Sequence, residues 1–186
     1  MTRNTHALDV ATVSPTVSPS AFIAQGVVLA GDVTIGEDSS IWFNCVLRGD
    51  VQRIVVGRRT NIQDASVVHG STGGNPVLIG DDVTVGHGAI LHACTLEDGA
   101  FVGFGARVLD NAIVCSGGML GAGAVLTPGK RVGENELWTG NPARMFRPLT
   151  EQERESMRLT SKRYVDLARA YQASRFTVST FQEITQ

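Results

Sequence analysis

Three histidines, His69, His87 and His92, fall within one short stretch of a 186-residue chain that has only four. A neutral imidazole is a good ligand for zinc and related divalent ions, and three of them leave one coordination position for water. A single histidine is more often an ordinary surface or core residue than a ligand. Metal chemistry therefore requires a fold that aims the three rings at one point. His6 lies in the polar start of the chain and carries no assigned role.

The elements that would aim them are written in a repeat. Aliphatic residues recur every six positions at Ile23, Leu29, Ile35, Ile41 and Leu47. After a slip at residues 51–53 the series resumes at Val56, Ile62 and Val68, and a loop at 71–76 then interrupts it. It returns at Ile79, Val85 and Leu91, slips again, and runs from Leu96 through Val102, Val108, Val114, Leu120, Leu126 and Val132 to Trp138. The fourth residue after each is usually small or β-branched, as at Ser39, Cys45, Thr60, Ala89 and Ala106. Glycine often follows directly, as at Gly36, Gly86 and Gly103.

No helix has a period of six, and a plain strand has a period of two. The pattern suits a short strand followed by a sharp corner, with the glycines expected to supply permissive backbone angles. Three strands close a triangular coil, and coils stack at about 4.8 Å. The right-handed crossover rule concerns long helical connections and leaves a tight left-handed winding open. The expectation is a mainly β chain, a single-stranded left-handed parallel β-helix over residues 21–146, with about six coils and part of another. An antiparallel sandwich would not hold one register for so long.

Residues 1–20 are polar and are expected to form an extended N-terminal segment. At Thr150 the pattern changes. Thr150 and Glu153 make a capping box, and Tyr164, Leu167, Ala168 and Tyr171 form an apolar helical stripe. A C-terminal α-helix over 150–174, packed outside the β-helix, is expected. No signal peptide or membrane-length apolar run is visible, so a cytoplasmic protein without membrane partners is expected. A formal charge of −2 gives no electrostatic case for nucleic acid. The cysteines, Cys45, Cys94 and Cys115, are odd in number and lack CxxC spacing, which argues against a disulfide scaffold or zinc ribbon. Cys45 is expected in the core, and Cys94 and Cys115 partly exposed.

The register converts positions into directions. One face carries Ile35, Val56 and Ile79; the second Ile41, Ile62 and Val85; the third Leu47, Val68 and Leu91. Arg48, His69 and His92 each follow a third-face aliphatic residue, so they point outward and stack coil on coil. The backbones of His69 and His92 should lie about 5 Å apart, within reach of one ion. His87 belongs to the second face, with Asp64 in the equivalent place one coil below and Gln63 beside it. Across a threefold interface the third face of one subunit meets the second face of its neighbour. The expectation is a homotrimer in which His69 and His92 of one chain and His87 of the next bind Zn2+, with Fe2+ or Co2+ also accepted by such a donor set.

The runs VVHG, IGDDVTVGHGAILHACTL, LRGD, NIQD and GNPARMFRPLT resemble the γ-class carbonic anhydrases. Their relatives include carnitine-operon, phenylacetate-operon and ferripyochelin-binding-like proteins. The resemblance spans residues 19–171. It implies the same ligands, His69, His87 and His92, with His87 from a neighbouring subunit. It also implies an interface pair in Arg48 and Asp50, a hydroxide-orienting Gln63 with Asp64 beside it, and a metal-proximal Tyr164 on the terminal helix. The implied reaction is attack of metal-held hydroxide on CO2 to give bicarbonate. The archetype carries a glutamate proton shuttle in an acidic loop and a second glutamate after the interface aspartate. Here the loop is STGGNP and Val51 follows Asp50, which implies slow proton transfer and low activity. Three alternatives stand beside this: a hexapeptide acyltransferase, a metal-dependent acyl-CoA thioesterase, and a catalytically weak metal-binding trimer.

Overall fold

A computed structural model of the chain describes residues 13–173. Most of the expected N-terminal segment, with His6, and the last expected helix residue, Ser174, lie outside the described residues. Short parallel strands, mostly of two or three residues, wind into a left-handed β-helix of about 7 turns, followed by one α-helix.

The six-residue register is the architecture. On the first face Ile35, Val56, Ile79, Leu96, Val114 and Val132 stand in successive strand-to-strand register. On the second, Ile23, Ile41, Ile62, Val85, Val102, Leu120 and Trp138 do the same. On the third, the column is Leu29, Leu47, Val68, Leu91, Val108 and Leu126. Most of these side chains are fully buried along the helix axis, and each contributes about 1.5–3 kcal/mol relative to an exposed one. The residues four further on, such as Cys45, Ala89 and Ala106, fill the narrow vertices of the triangle.

The glycines that follow the aliphatic positions do something other than expected. A Cβ on Gly36 would lie 2.4 Å from the carbonyl oxygen of Gly57, and one on Gly103 would lie 2.4 Å from the nitrogen of Ala122. Neither has a positive φ; they permit one coil to rest closely on the next. The permissive angles occur later in the corner, at Gly88 (φ 67°) and at asparagines and aspartates such as Asn44, Asp82 and Asn111, residue types that tolerate this region best after glycine.

The strand Glu136–Gly140 pairs antiparallel with Ala143–Pro148 at the C-terminal end of the coil stack, which blunts an otherwise open edge. The helix then runs Glu151–Gln172, with Thr150 as N-cap and both hydrogen bonds of the capping box in place. It crosses the second-face strands Phe22–Ile23, Ser40–Ile41, Asn61–Ile62 and Thr84–Val85. Its buried residues are Met157, Ser161, Val165 and Ala168, so the expected stripe is corrected at Leu167, which is 38% exposed. The Ser161 hydroxyl donates to the carbonyl of Arg59 at 2.7 Å, and Tyr164 and Tyr171 each set a ring edge against Trp42.

Cys94 and Cys115, expected to be partly exposed, are both buried. Burial pushes the Cys94 thiol up to about 12 and the Cys45 thiol up to about 11. Among the described residues no helix is long and apolar enough to cross a membrane.

Candidate metal centre

All the departures from the six-residue step fall at one corner, where the third face turns into the first. In the strand Val46–Val56, Gly49 pairs with Gly31 and Ile54 with Val33, so the residues between bulge out opposite Asp32. One coil later the 71–76 loop occupies the same corner. In the next coil Ala93, at φ 46°, makes a shortened turn between Leu91 and Leu96. Asp50 lies in the bulge, His69 ends the strand before the loop, and His92 ends the strand before the short turn.

Arg48, His69 and His92 stand in direct register. Nδ1 of His69 and Nε2 of His92 are 3.3 Å apart. Two nitrogens that each lie 2.0–2.1 Å from one tetrahedral ion are separated by about 3.3 Å, so this donor pair fits such an ion. The remaining nitrogen of each ring meets a carboxylate. His69 Nε2 is 3.0 Å from Asp50 Oδ1, and His92 Nδ1 is 2.5 Å from Asp110 Oδ1. A carboxylate behind a ligating imidazole fixes its tautomer and ring orientation.

The carboxylates are themselves held. Arg48 pairs with Asp50, and the Ser71 hydroxyl donates to Asp110 Oδ2 at 2.6 Å. Loss of water around Asp50 pushes its carboxyl upward, but the hydrogen bonds from Arg48 and His69 together hold it below the usual carboxylate range. Hydrogen bonds from Ser71 and then His92 hold the Asp110 carboxyl low.

The second face carries a separate group. His87 Nδ1 lies 2.6 Å from Asp64 Oδ2, and the His87 ring leans on Phe104 with centroids 5.2 Å apart. Gln63 is 2% exposed. Its Nε2 donates to Asn61 Oδ1 at 3.1 Å, while its Oε1 is buried with no partner, the one such side-chain atom among the described residues. An unmatched buried acceptor costs about 1–3 kcal/mol, which a donor arriving at the site would relieve. Burial, and then the Asp64 charge, raise the Tyr164 hydroxyl pKa, so Tyr164 sits over the second face within the field of Asp64.

One chain therefore brings together Arg48, Asp50, His69 and His92, and separately gathers Gln63, Asp64, His87 and Tyr164. Among the described residues of one chain, no group of three or more histidine, cysteine or acidic side chains could hold a metal ion. Sequence reasoning missed Asp110 and Ser71. The signal was present: Val108 stacks on Leu91, so Asp110, two residues further, belongs to the corner one coil beyond His92.

No family model matches the chain. The chain is 45% identical over 160 residues to a carbonic anhydrase of Geobacillus kaustophilus, covering 86% of this chain and 87% of that protein. It is 46% identical over 165 residues to the mitochondrial gamma carbonic anhydrase 1 of Arabidopsis thaliana, covering 86% of this chain and 60% of that protein. The chain thus spans about three-fifths of the length of the plant relative. A crystal structure of a hexapeptide transferase family protein from Anaplasma phagocytophilum superposes with a TM-score of 0.82 at 48% identity, covering 87% of this chain and 95% of that one. With a register that sets two histidines one above the other, and near-half identity to the bacterial relative along almost the whole of both proteins, the chain belongs to the γ carbonic anhydrase family.

Proposed function

We propose that the protein is a metal-dependent carbonic anhydrase that hydrates CO2 to bicarbonate at sites shared between the subunits of a homotrimer. The observation that carries this is the pair of stacked imidazoles, His69 and His92, whose facing nitrogens are 3.3 Å apart and whose other nitrogens are backed by carboxylates. His69 and His92 of one subunit and His87 of a partner subunit would hold Zn2+, Fe2+ or Co2+. When bound, such an ion supplies a water acidic enough to lose its proton near pH 7, a value known for carbonic anhydrase itself.

The chain's own residues then divide the work. Asp50 and Asp64 orient His69 and His87 through the contacts already described. Arg48 holds Asp50 in place. Gln63, with its unmatched amide oxygen, accepts a hydrogen bond from the water that is to attack CO2 and so fixes its orientation. The 71–76 loop carries no acidic or basic group to accept a proton, so proton release to buffer limits turnover.

Stopped-flow CO2 hydration on zinc-, cobalt- and iron(II)-loaded protein tests the reaction. A rate that rises with buffer concentration is expected, and none above the uncatalysed rate with any of the three metals sinks the proposal. His87→Ala should abolish stoichiometric metal binding; retained metal refutes the shared site. The transferase family of the Anaplasma protein favours a second reading, acyl transfer from an acyl-CoA with a histidine as general base. Release of free thiol from acetyl-CoA by metal-free protein with an amine acceptor would select that reading.

A further inference from the structure

We propose that Asp110, clamped by Ser71, is a positioning residue that decides which nitrogen of His92 faces the ion, and that the 71–76 loop exists to hold that clamp. The inference rests on the metal site proposed above. His92 Nδ1 is engaged by Asp110 Oδ1 at 2.5 Å, so the ring carries its proton on Nδ1 and its lone pair on Nε2. Nε2 is the nitrogen turned toward His69. Without Asp110, either ring nitrogen can carry the proton and the ring can turn.

Both oxygens of the carboxylate are committed. Oδ2 accepts from the Ser71 hydroxyl at 2.6 Å, so the plane of the group is fixed as well as its position. Ser71 in turn is held by a tight turn in which the Gly74 N–H donates to the Ser71 carbonyl at 2.9 Å, with Gly73 at φ 70°. At the other end of the loop, Asn75 Nδ2 donates to Asn111 Oδ1 at 2.8 Å. The loop is thus fastened at both ends to the Asp110–Asn111 corner, two coils away. Its small polar residues suit a clip, and they leave it no group that could shuttle protons.

The test is zinc affinity by chelator competition, with apo-protein thermal unfolding alongside. Asp110→Ala is expected to weaken zinc binding about 10–100-fold with an unchanged apo midpoint. Ser71→Ala should weaken it severalfold. The cobalt(II) visible spectrum of Asp110→Ala should change in shape, because a turned His92 alters the ligand field. Wild-type zinc affinity in Asp110→Ala, with zinc still bound by the parent, overturns the positioning role alone. If Asp110→Ala does not fold, Ser71→Ala decides: undiminished affinity there overturns the clamp. A parent protein that takes up no zinc, cobalt or iron overturns this inference together with the metal centre.

Discussion

The corner between the third and first faces and the corner between the first and second are made by the same winding chain, yet they do opposite things. In the second of these, Asp38, Arg59, Asp82, Gly99, Gly117 and Asn135 repeat one positive-φ conformation coil after coil. The amides of Arg59, Asp82, Gly99 and Gly117 each donate to the coil before, at 2.8–3.1 Å. Their side chains pair along the column, Arg59 with Asp82 and Asp38 with Arg169 of the helix that lies over them. A column of identical corners projects its side chains in parallel, one per level, so they meet only as ion pairs along the surface, as Arg59 and Asp82 do. At the other corner a bulge, a loop and a shortened turn follow in three successive coils. There Asp50, His69 and His92 come from different levels and meet. The regular step sets the spacing of the ligands; the bulge turns Asp50 toward His69, and Asp110 reaches His92 from the regular corner after Val108. Bulges beside active sites commonly serve this purpose.

Removing one residue from each corner puts this contrast to its largest test. Deleting Gly99 shifts every later residue by one place and turns the inward column of the following coils outward. No cooperatively folded protein is expected, judged by far-UV circular dichroism and urea unfolding. Deleting Gln52 from the bulge should leave a folded protein, at a cost on the order of 1 kcal/mol for the altered connection, while zinc affinity falls as Asp50 moves. A Gly99 deletion that folds as well as the Gln52 deletion breaks the distinction.

Core truncations sharpen it. Leu91 and Leu126 are both fully buried in the third-face column, and alanine at either should cost about 2–5 kcal/mol in urea denaturation. Leu91 directly precedes His92, whereas Leu126 lies two coils further along the column. Only Leu91→Ala should also weaken zinc binding; an equal metal effect from both would mean the site is not localised to its corner. Glycine substitutions follow in size. Alanine at Gly103 drives a Cβ to 2.4 Å from a backbone nitrogen in the next coil, an overpacking cost of about 1–3 kcal/mol. At Gly88 there is open space, and only the φ of 67° resists, so about 1 kcal/mol is expected. Thermal unfolding of the two variants in the reverse order would show that corner angles, rather than coil-to-coil contact, set the tolerance of the repeat.

What could be read in the sequence follows the same division. The inward columns were legible because one large aliphatic residue per strand, repeated at six, admits a single alignment, and that alignment places His69 against His92. The slips at residues 51–53 and after Leu91 were legible as interruptions, but an interruption does not say where its side chains go. Asp110 was missed for another reason: it lies in a regular corner outside every quoted motif, and its partner His92 is one coil away. The role of the repeat glycines was misjudged because glycine serves both unusual angles and close contact, and only the stacked backbone distinguishes them. Leu167 was placed on the helix's inner stripe because periodicity alone does not fix the helix's rotation. The buried face is set by Ser161 reaching the Arg59 carbonyl and by the small Ala168.

The smallest expected effect lies at the junction that brings the helix onto the regular side. Glu153 closes the capping box with Thr150 and pairs with Arg147 through both oxygens at 2.8 Å. The Arg147 hydrogen bonds, and then those of Thr150, hold its carboxyl down at about 2 from a usual 4.5. A carboxyl lowered by folding stabilises the native state fully above its unfolded pKa, and the contribution fades as pH falls from about 4.5 toward about 2. Glu153→Gln keeps the capping geometry and loses the charge. It should melt slightly below the parent at pH 7, with the gap closing between pH 4.5 and 2 and narrowing in high salt, because the pair is exposed. Zinc affinity at pH 7 should be untouched, since this junction lies on the column that carries structure and no ligand. A gap that stays constant across that pH range would show that Glu153 acts through its hydrogen bonds to Thr150 alone.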